Sequence, residues 1–254
     1  DKNGEIIERN IPLEKQFLPS NINEFNRNDI AEGLFQITNG WAWDKLFLAN
    51  FVYKEKLQFA ASRTANDGYF VYMALALADR ISKINEILVT QRIRNSRSLV
   101  NTRIQSWKCG FDMVYDIKTG LLKRSIYEQL EKTFLNWALK YIIWSFESME
   151  YWEGKEQIYN DVHEAENILS ILKHSLKYYY YPTEYAFYEQ MMHKSFGSYV
   201  ADVMMNMEHE QRKMVECQEQ LIDILNKKKW LFPFAKISQK SLIVLYGAGQ
   251  VGQD

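Results

Sequence analysis

Apolar residues recur at helical spacing through most of the second half of this chain. Residues 121–149 carry apolar side chains on several faces with few breakers, which predicts a long helix with more than one buried side. Gly154 is expected to interrupt it. Further helices are predicted over residues 158–178 and 185–196. They are separated by a tyrosine run that ends at Pro182, where the proline stops the helical pattern. Packing is the expected role of that run, with an aromatic ligand platform as the alternative.

A heptad pattern marks residues 198–229. One position of the repeat holds Val200, Met207, Met214 and Leu221, and the other holds Val203, Glu210, Cys217 and Ile224. Such a run predicts a coiled-coil helix. Two interpretations stay open: the stripe packs on the chain's own helices, or it pairs with its copy in a homodimer. That dimer is expected to be weak, because Met and Cys are soft packers and Glu210 costs stability in the seam.

The first 115 residues read as a mixture of short strands and helices. Candidate strands are residues 57–59 and 84–92. An amphipathic helix is predicted over residues 43–53, and a second helix follows the turn Asn66-Asp67-Gly68, where apolar residues recur at intervals of three and four. The predicted fold class is therefore α+β, predominantly α.

Asp67 stands at the entrance to this second predicted helix. Its carboxylate could cap the helix, which is a common role for aspartate. It could instead act as a general base, because a carboxylate beside a helix N-terminus stays ionised and can take a proton from a hydroxyl group. Both interpretations remain open from the residues alone.

Two further stretches carry candidate binding residues. Trp41 and Trp43, beside Asn39, offer flat apolar faces and hydrogen-bonding edges, which suit a sugar ring, although tryptophans are also common core residues. Residues 91–98, Q-R-I-R-N-S-R-S, are dense in donors that could bind phosphate or acceptor oxygens. A solvated basic loop is the alternative for that stretch.

Composition narrows the class of protein. The chain has 254 residues, of which 47% are hydrophobic and 25% charged, which is enough to bury the core of one large or two small domains. A net charge of -1 gives no electrostatic reason to bind nucleic acid, so no such partner is expected. The two cysteines have no metal-ligand spacing, and the four histidines share no local motif. No signal peptide or 18-residue apolar run is evident, so a cytoplasmic location is predicted, at most peripheral to a membrane.

The end of the chain has glycine spacing typical of dinucleotide-binding loops. Gly247, Gly249 and Gly252 follow an apolar run, where backbone amides could approach a pyrophosphate. No crossover, second strand or later acidic residue for a ribose follows Gly252 within the chain. We therefore expect only the start of a Rossmann-like domain there, and no bound NAD.

Four linked blocks together resemble a known family. They are N-G-W-A-W-D-K-L-F, L-Q-F, R-T-A-N-D-G-Y-F-V and I-L-V-T-Q-R-I-R-N-S-R-S-L. In this order they resemble the C-terminal half of the catalytic domain of bacterial family two glycosyltransferases, which have the A-type glycosyltransferase fold. The resemblance covers residues 20–115. It implies transfer of a sugar from a nucleotide-sugar donor to a hydroxyl group of a glycan or lipid-linked acceptor, in surface polysaccharide biosynthesis.

The resemblance also implies roles for particular residues. In that family an acidic pair before a helix supplies the base that deprotonates the acceptor, and its second member falls on Asp67, while Asn66 replaces the first. The acceptor side would be lined by Asn39, Trp41 and Trp43, and the cleft would include Gln91, Arg92 and Asn95. The nucleotide-binding half and its divalent metal, Mg²⁺ or Mn²⁺, are expected before residue 1. No cofactor is expected within this fragment, which alone should be inactive.

The predicted organisation has four parts. Residues 1–115 form the C-terminal part of a glycosyltransferase catalytic domain, and residues 116–197 a helical region. Residues 198–236 form the heptad-patterned helix and a linker, and residues 237–254 begin a truncated Rossmann-like domain. A different class of function stays open, namely a non-enzymatic helical interaction or scaffolding module with the tryptophans in its core.

Overall fold

A computed structural model of the chain describes residues 15–18, 24–84, 89 and 104–228. Within them the protein is predominantly helical, with seven α-helices and one two-stranded antiparallel sheet, which confirms the predicted class of α+β, mostly α. The helices are α1 Ala49–Glu55, α2 Gly68–Leu77, α3 Lys108–Lys123, α4 Tyr127–Glu147, α5 Trp152–Leu169, α6 Pro182–His193 and α7 Phe196–Lys228. The strands are β1 Glu24–Phe25 and β2 Ile81–Ser82, with Phe25 opposite Ile81. Short 3₁₀ turns cover Lys15–Phe17, Leu34–Gln36, Ile171–Lys173 and Leu176–Tyr178.

The chain divides into two compact units between Phe196 and Gly197. In the first unit α4 is the central helix, and it packs against α3, α5, α6 and the 3₁₀ turn Leu34–Gln36. Its apolar residues fall on two adjacent stripes, so the helix is buried on more than one side, as predicted. The fully buried members of these stripes are Leu130, Phe134, Leu135, Ala138, Leu139 and Ile142.

Two hydrogen bonds and one ring contact with separate parts of the chain arise from one stretch of α4. The hydroxyl of Thr133 accepts a hydrogen bond from the amide of Phe35 at 2.9 Å. The side-chain oxygen of Asn136 accepts one from the amide of Tyr180. The ring of Trp137 packs on that of Tyr72, with 4.4 Å between the ring centroids. Thr133 and Asn136 are fully buried, so their polar groups need these partners.

Several predicted helix boundaries are wrong, each for a local reason. The helix predicted over residues 121–149 is two helices, because Ser125 adopts a left-handed conformation (φ 55°) between α3 and α4. Gly154 does not interrupt a helix but lies within α5, where an added Cβ would come within 2.6 Å of the sulfur of Met149. Pro182 begins α6 rather than only ending the previous helix, since the first turn of a helix tolerates proline. The helix predicted over residues 158–178 ends at Leu169.

The region of mixed structure also differs from prediction. The helix predicted over residues 43–53 begins only at Ala49, and residues 57–59 form no strand. Of the strand predicted over residues 84–92, most positions lie outside the described residues, and residues 84 and 89 are not in a strand. The helix predicted over residues 198–229 is present as α7. None of the helices in the described parts of the chain is long and apolar enough to cross a membrane.

Candidate functional site

Asp67 occupies the N-cap position of α2, but its carboxylate makes no capping hydrogen bond. Its backbone is already helical (φ -85°, ψ -26°), whereas a capping aspartate has an extended backbone that turns the side chain toward the free amides. Only its main-chain oxygen joins the helix, by accepting the amide of Val71 at 2.9 Å. The position of Asp67 at the helix entrance is as expected, while its carboxylate does not serve as a cap.

The bend that carries the two tryptophans passes directly beside this helix entrance. A Cβ placed on Gly40 would lie 3.3 Å from the Cα of Gly68 and 3.0 Å from the ring of Tyr72, so only glycine allows this approach without displacement. The hydroxyl of Tyr72 donates a hydrogen bond to the main-chain oxygen of Thr38 at 3.2 Å. These contacts bring the segment 38–41 next to Asp67.

Trp41 and Trp43 stack on each other rather than entering the core. Their ring centroids are 5.0 Å apart, with an angle of 19° between the ring planes. Trp41 is half-buried, and Trp43 is 42% exposed. The interpretation of both residues as core tryptophans therefore does not hold. The pair presents a flat apolar surface to solvent.

Lys45 holds this bend closed. Its ammonium group donates hydrogen bonds to the main-chain oxygens of Asn39 at 3.0 Å and Trp41 at 2.7 Å, and it pairs with the carboxylate of Asp44 at 2.6 Å. The sequence did not indicate this role of Lys45, because residues 43–53 were predicted to form an amphipathic helix. The usable signal was a lysine closely following two tryptophans and the Asn39-Gly40 bend.

The phenol of Tyr72 is kept protonated by its buried position. Burial raises the pKa of Tyr72, a hydrogen bond with Trp137 opposes this rise, and the nearby Tyr141, Asp67 and Asp44 add to it. Tyr72 stays neutral at ordinary pH, which preserves it as the donor to Thr38.

A second set of hydrogen bonds fixes the loop ahead of Asp67. The amide of Ala60 donates to the main-chain oxygen of Asn66 at 2.9 Å, and Ala65 adopts a left-handed conformation (φ 57°). Thr64 and Arg63 both donate to the side-chain oxygen of Ser106, at 3.0 and 3.1 Å. The loop is thereby tied to the residues just before α3. Nothing in the spacing of the sequence indicated Ser106.

Packing beneath the helix entrance is also tight. A Cβ on Gly68 would overlap the sulfur of Met113 in α3. On the other side of α2, the ring of Phe70 stacks on that of Phe59, with centroids 4.5 Å apart. Asp67 is therefore presented by a helix end that is buttressed from two directions.

The predicted site residues fall into two groups. Asn39, Trp41, Trp43 and Asp67 belong to segments that the structure brings together. Gln91, Arg92 and Asn95 lie outside the described residues, as do the glycines of residues 247–252. Asn66, in place of the family's first acidic residue, is exposed beside Asp67.

The divalent metal implied by the resemblance has no ligand set in the described part of the chain. No three His, Cys, Asp or Glu side chains are grouped there as metal ligands are.

The tyrosine run that precedes Pro182 is used for packing. Tyr179 is buried against Tyr185, and the hydroxyl groups of Tyr180 and Tyr181 donate to the main-chain oxygen of Glu32 and the side-chain oxygen of Gln36.

No protein-family model matches the sequence, and no curated protein or solved structure matches it either.

Proposed function

We propose that residues 20–115 are the acceptor-binding part of a glycosyltransferase that moves a sugar from a nucleotide-sugar donor to a hydroxyl group. The observation that carries this proposal is that the carboxylate of Asp67 has no capping role at the start of α2, while the tryptophan bend closely approaches the next residue, Gly68. The four sequence blocks that resemble family two glycosyltransferases support the same function. The expected setting is assembly of a surface polysaccharide on a glycan or lipid-linked acceptor.

The proposed step needs one base. Asp67 takes the proton of the acceptor hydroxyl group while the oxygen of that hydroxyl group attacks the anomeric carbon of the donor sugar. The bond from that carbon to the diphosphate breaks, and the nucleoside diphosphate leaves with the electron pair.

The aromatic bend would hold the acceptor. A sugar ring stacks its C–H face on an exposed aromatic surface, and Trp43 offers such a face. Main-chain hydrogen bonds to Lys45 keep that surface in place, since they close the bend that carries both tryptophans. The side chain of Asn39 would then bind acceptor hydroxyl groups from the same bend.

The donor would be held elsewhere. The resemblance assigns nucleotide binding and the divalent metal to a half that precedes these residues. When bound, such a metal neutralises the charge of the leaving diphosphate. The 254-residue chain alone is therefore expected to show no turnover.

The experiment compares Asp67→Asn with the wild type in the parent protein that contains the donor half. Release of nucleoside diphosphate is measured over a panel of nucleotide sugars and acceptor glycans. Loss of a general base should lower turnover by about a hundredfold or more with the fold intact. Asp79→Asn, at an exposed aspartate outside the helices, is the matched control and should leave turnover unchanged.

Two results would overturn the proposal. One is an unchanged rate for Asp67→Asn in an active parent. The other is robust turnover by the 254-residue chain, which would contradict the assignment of the donor half.

A non-enzymatic interaction or scaffolding module is the second candidate. It is favoured by the long apolar stripe of α7, where large hydrophobic side chains such as Met207 are exposed. If the protein is such a module, Asp67→Asn and Trp43→Leu should leave its binding to partners unchanged. Charges placed on the α7 stripe should abolish that binding.

A further inference from the structure

The stripe of α7 exposes the side chains that a helical partner would bury. The helix has 33 residues, a length of about 50 Å at the usual rise per residue. Its heptad positions keep large apolar groups at the surface: Met207 is 67% exposed, Met214 65%, Leu221 54% and Ile224 48%. Met204, Val215 and Ile222, also exposed, widen the stripe on one side.

We propose that α7 pairs with α7 of a second copy of this chain as an antiparallel coiled coil, whose two-fold axis crosses the seam at the level of Arg212. The eight heptad positions are symmetric about this residue. An antiparallel pair centred there places each residue of the first heptad position opposite one of the second. Four kinds of layer result, and each occurs twice about the axis: Val200 with Ile224, Val203 with Leu221, Met207 with Cys217, and Met214 with Glu210.

The charge on Glu210 distinguishes this arrangement from a parallel one. In a parallel pair in register, the two Glu210 carboxylates would face each other within an apolar seam, which is costly. In the antiparallel pair, Glu210 lies opposite Met214 and beside Lys213 of the second copy. Lys213 already pairs with Glu210 of its own helix at 3.0 Å. The two lysines and two glutamates then alternate around the axis, which neutralises the buried charge.

This self-complementarity identifies the occupant of the stripe. A helix of another protein would need its own lysine beside Glu210 and its own matching layers, whereas a second copy supplies both through symmetry. The dimer is weak, since three of its seam residues are Met or Cys and one is charged. The inference does not depend on the proposed glycosyltransferase function.

Disulfide cross-linking tests the pairing and its direction on the full chain. Cys109→Ser leaves Cys217 as the only cysteine, because the chain has two. In the antiparallel pair the two Cys217 residues are far apart, so this variant should form no covalent dimer under mild oxidation. Adding Met207→Cys should produce one, with peptides containing residues 207 and 217 joined in mass spectra.

That 207–217 linkage can only form between two copies. Ten residues along one helix separate these positions by about 15 Å, which is beyond the reach of a disulfide. The matched control is Met205→Cys in the Cys109→Ser background, since Met205 is similarly exposed (60%) but lies on the opposite side of the helix. It should give no cross-link.

Light scattering over a concentration series measures the dimer without a covalent bond. Met207→Lys with Leu221→Lys should raise the dissociation constant by about tenfold or more while the helix content is unchanged, because two charges enter the seam of each copy opposite Cys217 and Val203. A Cys217–Cys217 cross-link would show a parallel pair and overturn the proposal. A native chain that is monomeric throughout, with a double variant that unfolds, would show that the stripe packs within the chain.

Discussion

The hydroxyl of Tyr72 donates a hydrogen bond over 3.2 Å to the main-chain oxygen of Thr38, joining the middle of α2 to the bend that carries Trp41. Tyr72 is also buried between Phe35 and Trp137, with ring centroids at 5.2 and 4.4 Å. One side chain therefore sets the distance between the tryptophan bend and the helix that begins after Asp67.

Tyr72→Phe should lower the free energy of unfolding by about 1–2 kcal/mol, because a hydrogen bond is lost while the ring contacts are kept. Chemical denaturation followed by circular dichroism measures the change. Tyr53→Phe is the matched control, since Tyr53 is 79% exposed, and it should change stability little. Equal effects of the two substitutions would show that the bond to Thr38 contributes nothing.

Gly68→Ala should destabilise the protein by about 1–3 kcal/mol, because the new methyl group would overlap the sulfur of Met113. Met113→Ala removes the overlapping sulfur, so Gly68→Ala should cost less stability in the Met113→Ala background than in the wild type. A double-mutant cycle measures this difference. Gly197→Ala is the control with the opposite sign. Nothing lies within 4 Å of its Cβ position, and alanine favours a helix over glycine by about 0.5–1 kcal/mol.

Lys45→Met should open the tryptophan bend, because two main-chain oxygens lose their donor. We expect a weaker near-ultraviolet circular dichroism signal from the stacked Trp41 and Trp43, and faster quenching of tryptophan fluorescence by acrylamide, with helix content unchanged. Lys54→Met, at a 73% exposed side chain in α1, should alter neither signal. Identical spectra for Lys45→Met and wild type would contradict the role of Lys45.

Stability should fall as the pH rises above about 10, where the tyrosines of an unfolded chain lose their protons. Burial raises the pKa of Tyr178 to about 12, and burial also raises the pKa values of Tyr127, Tyr179 and Tyr188. The folded state then binds more protons than the unfolded state, so the slope of stability against pH is negative. Each such tyrosine contributes about 1.4 kcal/mol per pH unit at most.

Tyr127→Phe tests this alkaline effect. Its hydroxyl is buried and has no hydrogen-bond partner among the described residues, so its removal should cost little at neutral pH. The loss of stability above about pH 10 should become shallower, as measured by denaturant midpoints at several pH values. A slope equal to that of the wild type would exclude Tyr127 as one of the groups responsible.

Long periodic patterns predicted that the second half of the chain is helical, although several helix ends were wrong, whereas short segments were decided by contacts that the sequence does not reveal. The heptad of α7 is a property of consecutive residues, and the helix runs over nearly the predicted range. In the tryptophan bend, the folding back of Lys45 onto main-chain oxygens prevails over the helical spacing of Trp43 and Phe47. Phe59 stacks on Phe70, and residues 57–59 form no strand.

In the candidate site, too, consecutive residues predicted some features, while others depend on tertiary contacts. The spacing of residues around Asp67 indicated a helix entrance, but whether the carboxylate caps that helix depends on a backbone angle. The closeness of Gly40 to Gly68 depends on how two segments cross, and only the fold supplies that information. Ser106 is reached by Arg63 and Thr64 across a long interval of sequence, so no local pattern indicates it.

The three contacts of α4 with Phe35, Tyr72 and Tyr180 have a consequence for local opening. The amides of Phe35 and Tyr180 are both held by buried side chains of the same helix, Thr133 and Asn136. Neither amide can be released without exposing a polar group that α4 leaves unsatisfied. In native-state hydrogen exchange, these two amides should therefore lose protection together at one free energy, as members of a single cooperative unit that is discontinuous in sequence.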